Sequence, residues 1–148
     1  LQASDDLSTL ELKPYLRTIV STVINSPVRA EILGIDVEVS SKVAVPLGLV
    51  VNELATNAVK HGFLHGNEEK RFIVKLSGFS GRNGRVRITV SNTGSPFPPG
   101  VEVNNSSSLG LRLVSSLIEQ LGSSLTLTRE PRPSFEFDVE CETVPVAR

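Results

Sequence analysis

The apolar positions of this chain switch repeatedly between helical and strand rhythms. In residues 9–25, Leu12, Leu16, Ile19, Val20 and Val23 recur every three or four positions, which predicts a helix with one buried stripe. Pro14 falls in its first turn, where a missing N–H is tolerated, and Ser26-Pro27 ends it. Residues 30–39 move to a period of two, with Ile35, Val37 and Val39 alternating, and predict a strand weakened at Gly34. Ser40-Ser41 offers an N-cap, Pro46 lies in or near the first turn of a second helix, and Gly62 after His61 is the expected stop. Residues 72–79 and 85–91 read as strands joined by a hairpin over Gly81-Arg82-Asn83-Gly84. In the second of these, Val86, Ile88 and Val90 face one way and Arg85, Arg87 and Thr89 the other. Residues 93–108, rich in Gly, Pro, Asn and Ser, predict a mobile loop. A third helix over 109–121 ends at Gly122, and strands over 124–129 and 135–140 follow, the latter turning Phe135, Phe137 and Val139 inward.

Hairpin-linked strands interleaved with helices predict an α+β fold, a two-layer α/β sandwich whose mixed, mostly antiparallel sheet carries its helices on one face. No internal repeat or linker interrupts the pattern. The 148 residues suffice for one domain with its own core, and 39% hydrophobic against 21% charged residues excludes a disordered chain. A formal net charge of −1 gives no field for nucleic acid, and no apolar run has the length of a membrane span. Cys141 is a single cysteine without sequence neighbours that bind metal, and reads as a buried thiol near the end of the last strand. The basic residues around the 81–84 hairpin read as a solvated edge. The lack of an initial Met suggests an excised domain, with a weak leaning to the cytosol.

Three segments carry chemistry. Asn52-Glu53-Leu54-Ala55-Thr56-Asn57-Ala58-Val59-Lys60-His61 puts an acid, an amide, an ammonium and an imidazole on one helix. Glu53 and Asn57 are four apart and share a face, and Lys60 and His61 extend that stripe by another turn. Beside it runs an apolar stripe of Leu47, Val50, Val51, Leu54 and Ala58. A helix surrounded by water needs no such apolar stripe, and a helix enclosed in a core carries no such polar one. The pair suits a helix that packs on a sheet and borders a pocket. An Asn oxygen can be one of the hard ligands of Mg²⁺, Lys60 can neutralise phosphate, and Glu53 can orient a hydroxyl or water. The second segment, Val90-Ser91-Asn92-Thr93-Gly94-Ser95-Pro96, sets a polar side chain at the rim of a buried strand, next to a glycine that lets a ligand approach the backbone. In the third, Ser106-Ser107-Ser108-Leu109-Gly110-Leu111 opens into a helix whose first N–H groups suit phosphate, although in isolation a serine N-cap is the better explanation.

Together these segments resemble the ATP-binding domain of sensor histidine kinases, in the superfamily shared with DNA gyrase B subunits and heat-shock chaperones, and the likeness spans residues 30–140. Residues 52–61 resemble the family's N box, 92–96 its first glycine box and 106–111 its second. Val51-Asn52-Glu53-Leu54-Ala55-Thr56-Asn57-Ala58-Val59-Lys60-His61-Gly62 and Leu109-Gly110-Leu111-Arg112-Leu113-Val114 look most like the subfamily with Glu in the N box. The resemblance implies the Bergerat-type ATP-binding fold over residues 30–148. Residues 1–29, including Asp5-Asp6-Leu7 and Tyr15-Leu16, would then be the end of a linker from a dimerisation domain plus the first helix. It further implies that Asn57 binds Mg²⁺ and that Glu53 is the acidic catalytic residue beside the γ-phosphate. Lys60 contacts phosphate, His61 lies near ribose or phosphates, and Asn92 accepts from the adenine amino group. Gly94, Pro96, Ser107, Ser108, Leu109, Gly110 and Leu111 border the lid over ATP, and Ser134 stands at an adenine-site position. The implied partners are ATP, a histidine-bearing dimerisation domain and a response regulator. Nucleic acid and direct membrane contact are not implied, and the setting is cytoplasmic, with a full-length protein that can be membrane-tethered.

The chain departs from that pattern at the adenine end. Asn92 replaces the usual Asp, which exchanges a charged for a neutral hydrogen bond at a cost of about 1 kcal/mol. Pro96, Ser106 and Ser108 replace glycines and stiffen the lid. These changes keep two alternatives open: a non-catalytic nucleotide-sensing or scaffold module, and a serine kinase like the anti-sigma factors.

Overall fold

The computed structural model describes residues 8–63, 69–78, 84–94, 109–129 and 132–142. In chain order it contains β1 (Thr9–Glu11), α1 (Leu12–Ser21), β2 (Arg29–Gly34), β3 (Glu38–Ser40), α2 (Ser41–Asn57) continued by a π turn (Ala58–Gly62), β4 (Arg71–Gly78), β5 (Arg85–Asn92), α3 (Leu109–Gln120), β6 (Thr126–Thr128) and β7 (Ser134–Glu140). Five strands form one sheet in the order β2-β4-β5-β7-β6, while β1 and β3 form a separate two-stranded ribbon. The β2–β4 pair is parallel and the other pairs are antiparallel. This is the mixed, mostly antiparallel two-layer arrangement that the patterning predicts.

The pleat separates the two sheet faces. Val74, Leu76, Val86, Ile88, Val90, Phe135, Phe137 and Val139 are buried, and they share one core with Leu47, Val50, Val51 and Leu54 of α2 and with residues of α1 and α3. Each fully buried side chain of this size contributes about 1.5–3 kcal/mol. The opposite face carries cross-strand ion pairs: Arg85 with Asp138, and Arg87 Nε with Glu136 at 3.3 Å. Two of the three basic residues at the hairpin thus pair with carboxylates on the open face of the central strand rather than forming a solvated edge; Arg82 lies outside the described residues.

α2 is the middle helix. It packs against α1 and against α3. Against α1 it presents Ala44 and Gly48: Tyr15 Oη donates to the Ala44 carbonyl at 2.9 Å, and a Cβ at Gly48 would stand 2.5 Å from Ile19 Cδ1 and 2.6 Å from Tyr15 Oη. A side chain at position 48 would therefore displace the ends of Ile19 and Tyr15 and disturb the Tyr15–Ala44 hydrogen bond.

Four local features differ from the sequence pattern. Residues 9–11 are not the start of α1 but a strand, because they pair with Glu38–Ser40, and the helix begins where Leu12 N–H donates to the Val37 carbonyl at 3.0 Å. The strand expected over 30–39 is two strands, broken where Gly34 adopts φ +108° against Leu76. Pro46 sits inside α2 rather than in its first turn, because the helix already starts at Ser41. The last strand pair is shorter on the β6 side, where only Thr126–Thr128 keep ladder bonds to β7. The expected stop of α3 holds: Gly122 has φ +73°, and Ser123 N–H reaches back to the Ile118 carbonyl at 3.1 Å. Most of the loop expected over 93–108 lies outside the described residues.

Candidate functional site

Glu53 and Asn57 are half-buried and stack one turn apart on α2. At about 100° per residue they fall on the edge of the buried stripe away from Ala44 and Gly48, and so away from α1. Asn57 Nδ2 is buried and has no hydrogen-bond partner among the described residues. A native buried amide usually has one, so this Nδ2 donor is left for a group beyond the described residues. Beyond Asn57 the helix widens into the π turn Ala58–Gly62. The straight stripe expected of an α-helix therefore does not continue through Lys60 and His61. Lys60 is exposed, and His61 lies in the same widened turn. Such turns inside helices are frequent at functional sites.

The second group stands at the end of β5. Asn92 continues the alternation Val86, Ile88, Val90, so its side chain lies on the helix-facing side of the sheet, and it is 7% exposed. Its Nδ2 donates to the Thr93 carbonyl at 2.8 Å. Thr93 is also buried. Its hydroxyl donates to the Glu69 carbonyl at 2.8 Å and accepts from Arg71 N–H at 2.9 Å, while its own N–H donates to the Arg71 carbonyl at 3.0 Å. Gly94 follows with φ +113°, a conformation that favours glycine.

Of the remaining sequence candidates, Leu109 and Gly110 begin α3, and Leu111 is buried in the core. Pro96, Ser107 and Ser108 lie outside the described residues. The sheet does not bring Ser134 to Asn92. Ser134 pairs with Ser91, and the pleat puts both on the face that carries Glu136 and Asp138. The register extended by one residue sets buried Pro133 opposite Asn92 instead. The sequence reading also missed Thr93, whose partners lie 22 and 24 residues away; Asn-Thr-Gly after a strand was the one available signal.

Electrostatic shifts cluster beside this anchor. Arg71 Nη2 donates to Glu31 Oε1 at 2.6 Å, which holds the Glu31 carboxyl below the usual glutamate range and raises the guanidinium. Arg29 pairs with Glu69 at 2.8 Å. Elsewhere, burial pushes the Cys141 thiol up, in keeping with its reading as a buried free cysteine. Among the described residues no cluster of three or more His, Cys, Asp or Glu forms a cation cage. The orphaned atom of Asn57 is the donor Nδ2, which ligates no cation; a Mg²⁺ held here would take Asn57 Oδ1 and draw its other ligands from water and phosphate oxygens. Among the described residues, no helix is long and apolar enough to cross a membrane.

Comparison with known proteins supplies a family. Residues 42–145 match the model of the histidine kinase-, DNA gyrase B-, and HSP90-like ATPase. Blue-light-activated histidine kinase 2 of Erythrobacter litoralis (strain HTCC2594) is 29% identical over 128 residues, and kinase 1 of the same strain is 30% identical over 123. The alignments cover 81% and 83% of this chain but 35% and 31% of those proteins, so the chain spans about a third of their length. Among solved structures, the histidine kinase domain of the blue-light-activated histidine kinase from Erythrobacter litoralis EL346 superposes with a TM-score of 0.76 at 27% identity, covering 88% of this chain and 61% of that one. The mycobacterial sensor histidine kinase MprB shares the fold, with a TM-score of 0.70 at 17% identity, covering 94% of this chain and 99% of that one.

Proposed function

The chain belongs to the histidine kinase-, DNA gyrase B-, and HSP90-like ATPase family, and we propose that it is the ATP-binding catalytic domain of a sensor histidine kinase of the subfamily with Glu in the N box. Its substrate is Mg-ATP, and the γ-phosphoryl group goes to a histidine on a separate dimerisation domain and from there to a response regulator. Residues 1–29 connect to that domain, with α1 already part of the core of residues 30–148. The observation that carries this reading is the Asn57 carboxamide, whose buried Nδ2 has no partner among the described residues, one turn from Glu53 on the flank of the central helix.

Each residue has a task. Asn57 offers its Oδ1 to Mg²⁺, which neutralises phosphate charge when bound. Lys60 adds a mobile point charge for the phosphates from its exposed position. Glu53 borders the γ-phosphate and orients the attacking group, and His61 lies toward the ribose and phosphates. Asn92 reads the adenine amino group, and Gly94, Pro96, Ser107, Ser108 and Gly110 belong to the nucleotide-binding residues. Phosphoryl transfer needs chiefly positioning and charge neutralisation, which these groups supply without a further prosthetic group. The family match and the blue-light-activated relatives support the assignment.

The test is a calorimetric titration with Mg-ATP, followed by labelling with γ-phosphate-tagged ATP of a protein extended through the upstream helices. Binding and labelling of an upstream histidine are expected. A second reading, a nucleotide sensor or scaffold without transfer, draws on Asn92 standing where the family has Asp. It predicts binding without labelling, and a chain silent toward millimolar Mg-ATP refutes both.

A further inference from the structure

The five-stranded sheet ends in two edges of different kind. β6 is short and keeps only Thr126–Thr128 in the ladder, whereas β2 runs over the six residues Arg29–Gly34. On the β4 side, Arg29 N–H donates to the Lys70 carbonyl at 2.9 Å and Ile35 N–H to the Leu76 carbonyl at 3.0 Å. A parallel ladder uses every second residue, so Glu31 and Leu33 also turn their backbone groups to β4, while Ala30, Ile32 and Gly34 turn theirs away. Lys13 Nζ covers the Gly34 carbonyl at 2.8 Å. Among the described residues nothing bonds the outward N–H or carbonyl of Ala30 or Ile32. Natural sheets guard such an edge with a Pro, a bulge or a charge. The register of β2 is unbroken, Ala30–Leu33 contains no Pro, its one charge at Glu31 is held by Arg71, and Leu33 is 45% exposed.

We infer that β2 is a self-association edge: it pairs with β2 of a second copy of this chain, antiparallel about a two-fold axis at Ala30, and joins the two sheets into one. Three symmetric registers bring outward-facing residues opposite one another. Centring on Glu31 sets two glutamates face to face, which repel. Centring on Ile32 sets Glu31 against Leu33, and Ala30 against Gly34, whose carbonyl Lys13 already holds. Centring on Ala30 sets Arg29 opposite Glu31 of the second copy, twice by symmetry, at the positions where cross-strand side chains come closest. Arg29 is exposed and already lies 4.0 Å from Glu31 of its own chain, so two arginines and two glutamates alternate around the axis. The two Ala30 residues exchange both backbone hydrogen bonds, and their small side chains leave room at the axis. The contact is short, which makes it a weak, concentration-dependent one. It involves none of the residues assigned to the nucleotide.

Sedimentation equilibrium of the 148-residue chain, from micromolar to millimolar, reads the association. A monomer–dimer equilibrium is expected for wild type. Ala30→Pro removes an N–H that β4 does not use, so it should abolish the dimer while the melting midpoint stays within a few degrees. Arg29→Glu and Glu31→Arg should each weaken the dimer by roughly tenfold or more, because each sets like charges opposite one another. Mixed together, these two variants should associate again, since the mixture restores opposite charges at both contacts. A variant that acts only by loosening its own fold is not rescued by mixing. Four results overturn the pairing: a wild type that stays monomeric at millimolar concentration, assembly beyond the dimer, a dimer that Ala30→Pro leaves intact, or a mixture no tighter than its components. Arg29→Glu changes an exposed side chain, so it decides alone should Ala30→Pro or Glu31→Arg fail to fold, and undiminished association in it overturns the pairing.

Discussion

Arg71 and Thr93 exchange two hydrogen bonds: Arg71 N–H donates to Thr93 Oγ1 at 2.9 Å, and Thr93 N–H donates to the Arg71 carbonyl at 3.0 Å. The end of β5, where Asn92 stands, is thereby fastened to the beginning of β4. Thr93→Val keeps the shape of the side chain but leaves Arg71 N–H and the Glu69 carbonyl without their side-chain partner. The expected loss is about 1–3 kcal/mol, read as a lower urea midpoint. Thr93→Ser should recover most of it, and equal midpoints for the two variants would show that the hydroxyl does not hold this corner.

Gly34 marks the point where β2 leaves the sheet. Its φ is +108°, and a Cβ built there would lie 1.9 Å from the Leu76 carbonyl oxygen, a backbone atom that cannot swing aside. Gly34→Ala should destabilise the chain by on the order of 3 kcal/mol or more, through left-handed strain and separation of the β2–β4 pair. Chemical denaturation should show a large drop in midpoint. A change below about 0.5 kcal/mol would mean that the edge strand shifts freely, against the parallel register from Arg29 to Gly34.

Asn57 separates binding from folding. Its Nδ2 has no partner among the described residues, so Asn57→Ala removes no hydrogen bond to them through that atom and introduces a better helix former. Stability should change by less than about 1 kcal/mol. Nucleotide affinity in the presence of Mg²⁺ should fall by roughly tenfold or more, the equivalent of one lost charge-assisted interaction, while the weaker affinity in chelator should hardly move. Titrations with and without Mg²⁺ give the comparison. An equal loss in both conditions would assign Asn57 to nucleotide contact rather than to the cation.

The elements that organise this site were legible where their signal is local. The stripe Leu47, Val50, Val51, Leu54 and Ala58 is buried, the alternation Val86, Ile88, Val90 faces the core, and Gly122 stops α3. Features set by distant partners were not legible. Residues 9–11 carry no strand pattern of their own and become one only by pairing with Glu38–Ser40. Gly34 weakens a strand in sequence, but its close approach to Leu76 exists only in the sheet. The same holds within the site. The spacing of Glu53 and Asn57 placed them correctly on one face, whereas the π turn that moves Lys60 off the stripe has no periodic signature. Ser134 was picked one residue from the position that shares a face with Asn92, because a one-residue slip along a strand exchanges the two faces.

Acid should weaken the β2–β4 edge through Glu31. Arg71 donates to its carboxylate at 2.6 Å, and Arg29 stands 4.0 Å away. The Arg71 hydrogen bond, reinforced by the charges of Arg71 and Arg29, holds the folded-state carboxyl below the ordinary glutamate value. A depressed folded value means that the unfolded chain binds the proton more readily. The stabilisation is therefore fully present above the unfolded value and is lost as the pH falls through the folded one. Arg71 shifts upward and stays charged across the whole range, so the change belongs to Glu31. Glu31→Gln mimics the protonated form at every pH. The gap in urea midpoint between wild type and Glu31→Gln should be modest at neutral pH, as expected for a pair near the surface, and should close between about pH 4.5 and the acid limit of folding. Midpoints measured at half-unit pH steps provide the check. A gap that stays constant into acid would show that the variant acts through packing and that the Glu31–Arg71 pair does not set the acid sensitivity of this edge.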